Sequence, residues 1–209
     1  MLLAFDTATS AVTVALHDGS AVIAESTVVD PLRHGELLAP GIAHVLSAAS
    51  ARSRDLTRIA VGVGPGPFTG LRVGLVTARM MAFALDVPLL GVCTLDVVAA
   101  AVTRDEDGFL VATDARRKEV YWAEYDSAGS RLSEPAVDKP DVVAFSGRVA
   151  GIGAVLYADS FPSASPPEYP NAADLARLAV AGGSAVLPAE PLYLRRPDVS
   201  KPTERKRVR

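Results

Sequence analysis

The chain of 209 residues has one cysteine, Cys93, three histidines, and 6% aromatic side chains. A lone cysteine excludes an internal disulfide framework and a cysteine-based zinc site. The histidines make no metal pair: His17 falls in a hairpin turn, and His34 and His44 are ten residues apart, which does not set two ligands on one helical face. No Gly-x-Ser-x-Gly elbow is present, so a serine hydrolase has no support. No uninterrupted apolar run approaches the roughly 18–20 residues of a membrane span. The opening run Met1–Phe5 stops at Asp6 with no basic residue before it, unlike a secretory signal. A single thiol and no export signal lead us to expect a cytoplasmic protein with no membrane association.

Charge of one sign is also scarce, with 21 basic and 24 acidic residues for a net of −3. Residues Lys201–Arg209 hold a net +4, which leaves −7 for the body. Such a body is a poor general polyanion binder. What the chain has instead is apolar bulk: 49% hydrophobic residues and a mean hydropathy of +0.25, more than half of it alanine and valine. That suits a closely packed core of sheets and helices, with apolar surface to spare.

Local patterns order the first half. Leu2–Asp6 is a short apolar strand, Ala11–Leu16 alternates, His17-Asp18-Gly19-Ser20 is an Asp-Gly hairpin turn, and Ala21–Val29 returns. Helical spacing follows over Gly35–Ala49, a buried strand over Ile59–Val63, a second helix over Thr69–Leu85, a strand at Pro88–Val92 and a helix at Thr94–Val102. The hydrophilic stretch Arg104–Gly108 marks a boundary. Beyond it the beginning recurs: an offset of 108 carries Asp6 onto Asp114, Val12 onto Val120, Ala15 onto Ala123 and Asp18 onto Asp126. The second copy continues with a strand over Arg131–Val137, a helical stretch at Asp141–Phe145, a strand at Val149–Ala154, a Pro/Ser-rich loop over Phe161–Pro170, a helix over Ala172–Ala181 and an extended element at Pro191–Arg195. The expected architecture is a duplicated α/β fold with mixed sheets. Its lobes span 1–104 and 105–196, and 197–209 form a basic tail.

Three segments bear on function. Asp6-Thr7-Ala8-Thr9-Ser10 places an acid and hydroxyls at a strand end, which suits either a hydrated metal and a phosphate or the backbone of a tight turn. Gly64-Pro-Gly66-Pro-Phe-Thr-Gly70-Leu-Arg72 is a tight strand-to-helix turn, readable as an anion site or a rigid elbow; it lacks the Gly-Lys-Ser/Thr of a P-loop. The helix starting at Thr69 is apolar nearly all round. Such a helix is covered on both faces, by the sheet on one side and, on the other, by the Gly35–Ala49 helix or by a partner protein.

Five segments, Leu2-Leu-Ala-Phe-Asp-Thr-Ala-Thr9, His34-Gly-Glu-Leu-Leu-Ala-Pro40, Gly64–Arg72, Asp114-Ala-Arg116 with Glu119-Val-Tyr121, and Pro191-Leu-Tyr-Leu-Arg195, resemble the TsaB (YeaZ) family in order and spacing over essentially the whole chain. The resemblance implies two RNase-H-like halves of the actin/Hsp70/sugar-kinase superfamily. It implies a non-catalytic subunit of the bacterial machinery that makes N6-threonylcarbamoyladenosine in tRNA, pairing with catalytic TsaD and the ATPase TsaE, or with itself when alone, and meeting tRNA only through the complex. The catalytic paralogue's His-x-x-x-His pair would fall near Cys93–Val98, where no histidine stands. The implied partner interface is on the two helices, at Leu37, Leu38, Ile42, Val45, Leu71, Leu75, Ala78, Met81 and Ala82, and Leu75→Arg or Met81→Arg is expected to leave a soluble fold that no longer assembles. Asp6, Thr7, Gly64, Gly66, Gly70, Arg72 and Asp114 would be relics of a nucleotide or anion site, with no firmly bound cofactor and ATP or ADP entering only through the complex. The alternative is a stand-alone ATPase, kinase or metalloprotease-like enzyme.

Overall fold

The computed structural model of the chain describes residues 1–103, 107–143 and 145–195. The first half runs β1 (Leu2–Asp6), β2 (Ala11–His17), β3 (Val22–Val29), α1 (His34–Ala48), β4 (Arg58–Gly62), α2 (Phe68–Leu85), β5 (Leu89–Val92) and α3 (Thr94–Ala100). The second runs β6 (Phe109–Asp114), β7 (Val120–Tyr125), β8 (Ala136–Asp138), β9 (Arg148–Ala150), α4 (Ile152–Leu156), β10 (Ala164–Ser165) and α5 (Ala172–Ala181).

Each half builds one five-stranded mixed sheet, ordered β3-β2-β1-β4-β5 and β8-β7-β6-β9-β10. In both, the first three strands pair antiparallel and the last pairings are parallel. The orders correspond strand for strand, so the offset of 108 is a true duplication and the two-lobe α/β fold stands. Even the turn device recurs. Asp18 accepts hydrogen bonds from the Ser20 and Ala21 amides beside Gly19, and Asp126 accepts one from the Ser130 amide beside Gly129. Both glycines have positive φ.

Strand alternation sets the packing. Leu3, Phe5, Ile59 and Val61 face α1 and α2, while Leu2, Ala4 and Ala60 face Leu175, Ala176 and Ala179 of α5. In the second sheet Phe109, Val111 and Tyr125 meet Leu95 and Val98 of α3, and Leu110, Ala112 and Val120 meet Ala154 of α4. The leucine, isoleucine, valine and phenylalanine side chains among these each contribute roughly 1.5–3 kcal/mol on burial. α5 thus returns from the second half to cover the first sheet. It is held there by the Ala172 amide, which donates to Thr13 Oγ1 (2.9 Å), and capped by Asn171. α3 lies between the lobes, with Val97 turned to the first sheet and Leu95 to the second.

The differences fall in the second half. The strand expected at Arg131–Val137 is β8 at Ala136–Asp138, with only a single bridge at Arg131. Pro135 has no amide to give a ladder, and the Glu124 amide is taken by Ser133 Oγ. Among the described residues of Asp141–Phe145 there is a turn, not a helix; Ala144 lies outside them. The strand expected to reach Ala154 ends at Ala150, because Gly151 at φ 98 turns the chain into α4. The loop 161–170 contains β10, and Pro191–Arg195 forms no strand. The boundary at residue 104 and the tail 197–209 lie outside the described residues.

Among the described residues, α2 alone is long and apolar enough by length and composition to cross a membrane. It carries Arg72 and Arg79, and Gly70, Leu71, Gly74, Leu75, Ala78 and Ala82 are buried.

Candidate functional site

Two features at the first lobe's surface carry functional information. The first is a polar junction where the loops after β1, β4 and β5 meet. Asp6, at the end of β1, is fully buried. Its carboxylate accepts hydrogen bonds from the Ala8 amide (2.6 Å) and from Thr94 Oγ1 (2.7 Å), while Thr94 Oγ1 accepts one from the Gly64 amide (3.2 Å). Burial pushes the Asp6 carboxyl up, and the Ala8 amide, Thr94 and the charge of His34 only partly offset that. Thr7 Oγ1 donates to the Gly70 carbonyl (2.7 Å), and His34 Nε2 donates to the Thr9 carbonyl (2.7 Å). The glycines are required by contact: a Cβ at Gly66 would lie 2.1 Å from the Ala8 carbonyl oxygen, and one at Gly74 would lie 2.6 Å from Thr7 Oγ1.

Asp6, Thr7, Gly64, Gly66 and Gly70 are therefore brought together, but as a closed structural clamp. Asp6 has no open side from which to hold a hydrated metal, so the residues present do not fit a magnesium–nucleotide. Arg72 and Asp114 lie elsewhere. Arg72 sits on the outer surface of α2, its guanidinium 3.6 Å from the Phe68 ring centre, and donates to Tyr193 Oη (3.2 Å). Asp114 ends β6 in the other lobe and accepts from the Arg116 amide (2.8 Å), with the Arg116 guanidinium 3.4 Å away.

Between the lobes this leaves an open cleft. One part, about 170 Å³, is walled by Phe68, Arg116, Arg117, Tyr121, Tyr193 and Arg195. It adjoins a second part of about 290 Å³ walled by Thr7, Thr9, His34, Thr69 and Gly70, with Pro67 and Arg116 common to both. Tyr193 stacks on Phe68 with ring centres 5.3 Å apart.

The second feature is the outer ridge of α2. Val76, Met80 and Phe83, spaced four and three residues apart, are 57%, 60% and 83% exposed. The helix's two arginines do not break this ridge. Arg72 is drawn to Tyr193 and Arg79 donates to the Ala189 carbonyl (2.8 Å), so both hold down the segment 187–195. That segment also pairs with Gly91 through Leu187 and with Val63 through Leu192.

The expected interface residues sit differently. Leu38, Ile42, Val45, Leu71, Leu75, Ala78 and Ala82 are buried in the first lobe's own core, and Leu37 and Met81 are half-buried against it. The outer ridge, which sequence reasoning left off the site, carries the free apolar surface. The small-residue row Gly70, Gly74, Ala78, Ala82 was the available signal, since small residues mark the face that approaches a sheet most closely. Phe68, Tyr193 and Arg117 gave no such signal, because Tyr193 reaches Phe68 only as the segment 187–195 closes over the first lobe, and Arg117 meets them from the second.

A family model described as TsaD, tRNA N6-adenosine threonylcarbamoyltransferase, matches residues 30–164. An uncharacterized protein of Mycobacterium leprae is 41% identical over 204 residues, which are 95% of this chain and 55% of that protein. The tRNA threonylcarbamoyladenosine biosynthesis protein TsaB of Escherichia coli is 38% identical over 148 residues, 68% of this chain and 64% of TsaB. The chain thus spans about half the length of the first relative and just under two thirds of the second. Among solved structures, YeaZ from Pseudomonas aeruginosa superposes with a TM-score of 0.78 at 33% identity, covering 92% of this chain and 99% of that one.

Proposed function

The chain belongs to the TsaB (YeaZ) family, and from that premise we propose that it is a non-catalytic, cytoplasmic subunit of the machinery that installs N6-threonylcarbamoyladenosine in tRNA. It pairs with the catalytic TsaD subunit and with the ATPase TsaE, and with a second copy of itself when these are missing. The two lobes of the chain are 1–104 and 105–196.

The observation that carries this reading is the apolar ridge Val76–Met80–Phe83, with Phe83 83% exposed. An aromatic side chain standing that far into water, in line with two other large apolar residues, is the surface a partner covers. The interface therefore runs along the outer side of α2, with Leu37 and Met81 at its margin. Leu71, Leu75 and Ala78 support it from below by holding α2 on the sheet.

The chemistry of the chain's residues supports a non-catalytic role. The family model bears the name of the transferase, but where the resemblance implies metal-binding histidines this chain has Cys93–Val98. Burial pushes the Cys93 thiol up to about 12, so it is no nucleophile near neutral pH. The Asp6 clamp supports the companion reading that ATP or ADP is engaged only through the complex.

Reconstitution with the TsaD and TsaE of the same source tests this. Threonylcarbamoyl transfer to tRNA is expected to require all three components, and Phe83→Glu is expected to abolish both co-elution with TsaD and transfer. Transfer by this chain alone would overturn the reading, as would full assembly by the Phe83→Glu protein.

A further inference from the structure

The hairpin joining β6 to β7 is built against its own backbone preference. Arg116, Arg117 and Lys118 have φ of 61°, 57° and 62°, three consecutive left-handed residues without a glycine. The Ala115 amide donates to the Glu119 carbonyl (3.0 Å) and the Glu119 amide to the Arg116 carbonyl (3.1 Å), closing a tight turn of the kind that Asn-Gly fills without strain. The chain uses glycine where its other hairpins need positive φ, at Gly19 and Gly129. Here it keeps three cations instead. Backbone strain retained at a cleft mouth points to a requirement for those side chains.

Their surroundings say what they meet. Arg195 lines the same cleft, paired with Glu119, as Arg116 is with Asp114, and Arg72 borders it through Phe68 and Tyr193, in a chain whose body is otherwise acidic. Phe68 and Tyr193 interleave with these arginines above the buried Tyr121, and Tyr193 is 41% exposed. Arginines alternating with accessible aromatic rings suit phosphodiesters and the bases between them. A magnesium-bound mononucleotide is disfavoured, because Asp6 is closed off and Asp114 is engaged by Arg116. The cleft is also elongated and open, continuing past Arg116 to Thr7, Thr9 and Thr69.

We propose that this inter-lobe cleft binds an RNA strand, with phosphates on the Arg116–Lys118 turn and bases against Phe68 and Tyr193. The choice of RNA over other polyanions rests on the function proposed above, and it gives the chain a direct contact with tRNA rather than one made only through its partners.

Fluorescence anisotropy of labelled tRNA and of a labelled single-stranded RNA, titrated with the full chain over a range of salt, tests this. The double variant Arg117→Asn with Lys118→Gly installs the turn's preferred residues. Its Tm is expected to rise by about 2–6 °C, while affinity at about 50 mM salt falls by about tenfold or more and the salt slope drops by about 1.5, for the two cations removed. A gain in stability with a loss of binding leaves no room for misfolding as the cause. Tyr193→Leu is expected to weaken binding by about tenfold with an unchanged salt slope. Unchanged affinity in both variants overturns the proposal. So does binding lost only when 201–209 are deleted, or full displacement of RNA by equimolar ADP with magnesium. If transfer is supported while both cleft variants bind like the parent, this inference falls and the subunit reading stands. If the cleft binds RNA but the chain supports no transfer with its partners, the subunit reading falls and the cleft assignment stands.

Discussion

Thr94 donates its hydroxyl hydrogen to Asp6 across 2.7 Å, tying the end of β1 to the first turn of α3, 88 residues later. The bond is buried, and with the Ala8 and Gly64 amides it locks three loops at the head of the first sheet. An acid at this point reads in sequence as a metal or phosphate ligand. In the fold, its partners are all from its own chain.

This clamp has a pH signature. Burial holds the Asp6 carboxyl above its ordinary value in the folded state, so the native chain keeps a proton that the unfolded chain gives up. Stability from this group is fully present below the ordinary carboxylate range and is lost as pH rises through the raised folded value. In Asp6→Asn the side chain cannot ionise. The Tm of Asp6→Asn minus that of the parent is therefore expected to increase from pH 4 towards neutrality. Thermal melts across that range check it, and a difference that stays flat or decreases would refute the assignment.

The two sides of α2 should respond oppositely to charge. Phe83→Glu and Met80→Glu alter exposed positions, so each is expected to change stability by no more than about 0.5 kcal/mol while removing association. Leu75 is 3% exposed, so Leu75→Arg buries an unpaired charge and is expected to cost about 3–5 kcal/mol. The sequence-based expectation of a soluble Leu75→Arg protein is thereby corrected. Chemical denaturation separates the two classes, and size-exclusion chromatography reads assembly.

How legible the molecule is in its sequence depends on how local each signal is. The repeat, the hairpin turn at His17–Ser20 and the limits of α1, α2 and α5 are set by neighbours in the chain, and they read correctly to within a residue or two. α2 shows the limit of periodicity. A helix apolar on every side has a readable length, but hydrophobicity alone does not give its phase, so Leu75 and Phe83 look alike unless the small-residue row Gly70, Gly74, Ala78 and Ala82 is read as the face against the sheet. The second lobe was harder because Pro135, Pro140 and Gly151 divert the backbone between short strands. The site was least legible where it depends on chain closure. Nothing local brings Tyr193 to Phe68, or shows that Thr94 will close off Asp6.

The close approach of α2 to the β1–β2 loop makes Gly74 sensitive to a single methyl group. A Cβ there would lie 2.6 Å from Thr7 Oγ1, whose hydrogen bond to the Gly70 carbonyl holds the first turn of the helix. Gly74→Ala is expected to destabilise by about 1–3 kcal/mol despite the better helix propensity of alanine. Gly35→Ala, on α1 with open space around it, should be neutral or stabilising. Equal denaturation midpoints for the two variants would contradict the packing described.

Cys93 provides a probe of the region where the lobes meet. It is fully buried between β5 and α3, packs with Leu95, Val98 and Phe109, and its thiol is pushed up to about 12 by burial and by the charge of Asp96. Both access and ionisation are therefore withheld in the folded chain. A thiol reagent at pH 8 is expected to leave Cys93 unmodified in the native protein and to modify it fully in denaturant. With intermediate denaturant, the labelling rate should follow the opening equilibrium of the α3 region, because only an open state presents a thiol of ordinary acidity. Stoichiometric modification within minutes in native buffer would place Cys93 at an accessible surface and overturn the assignment of α3 as the buried element between the sheets.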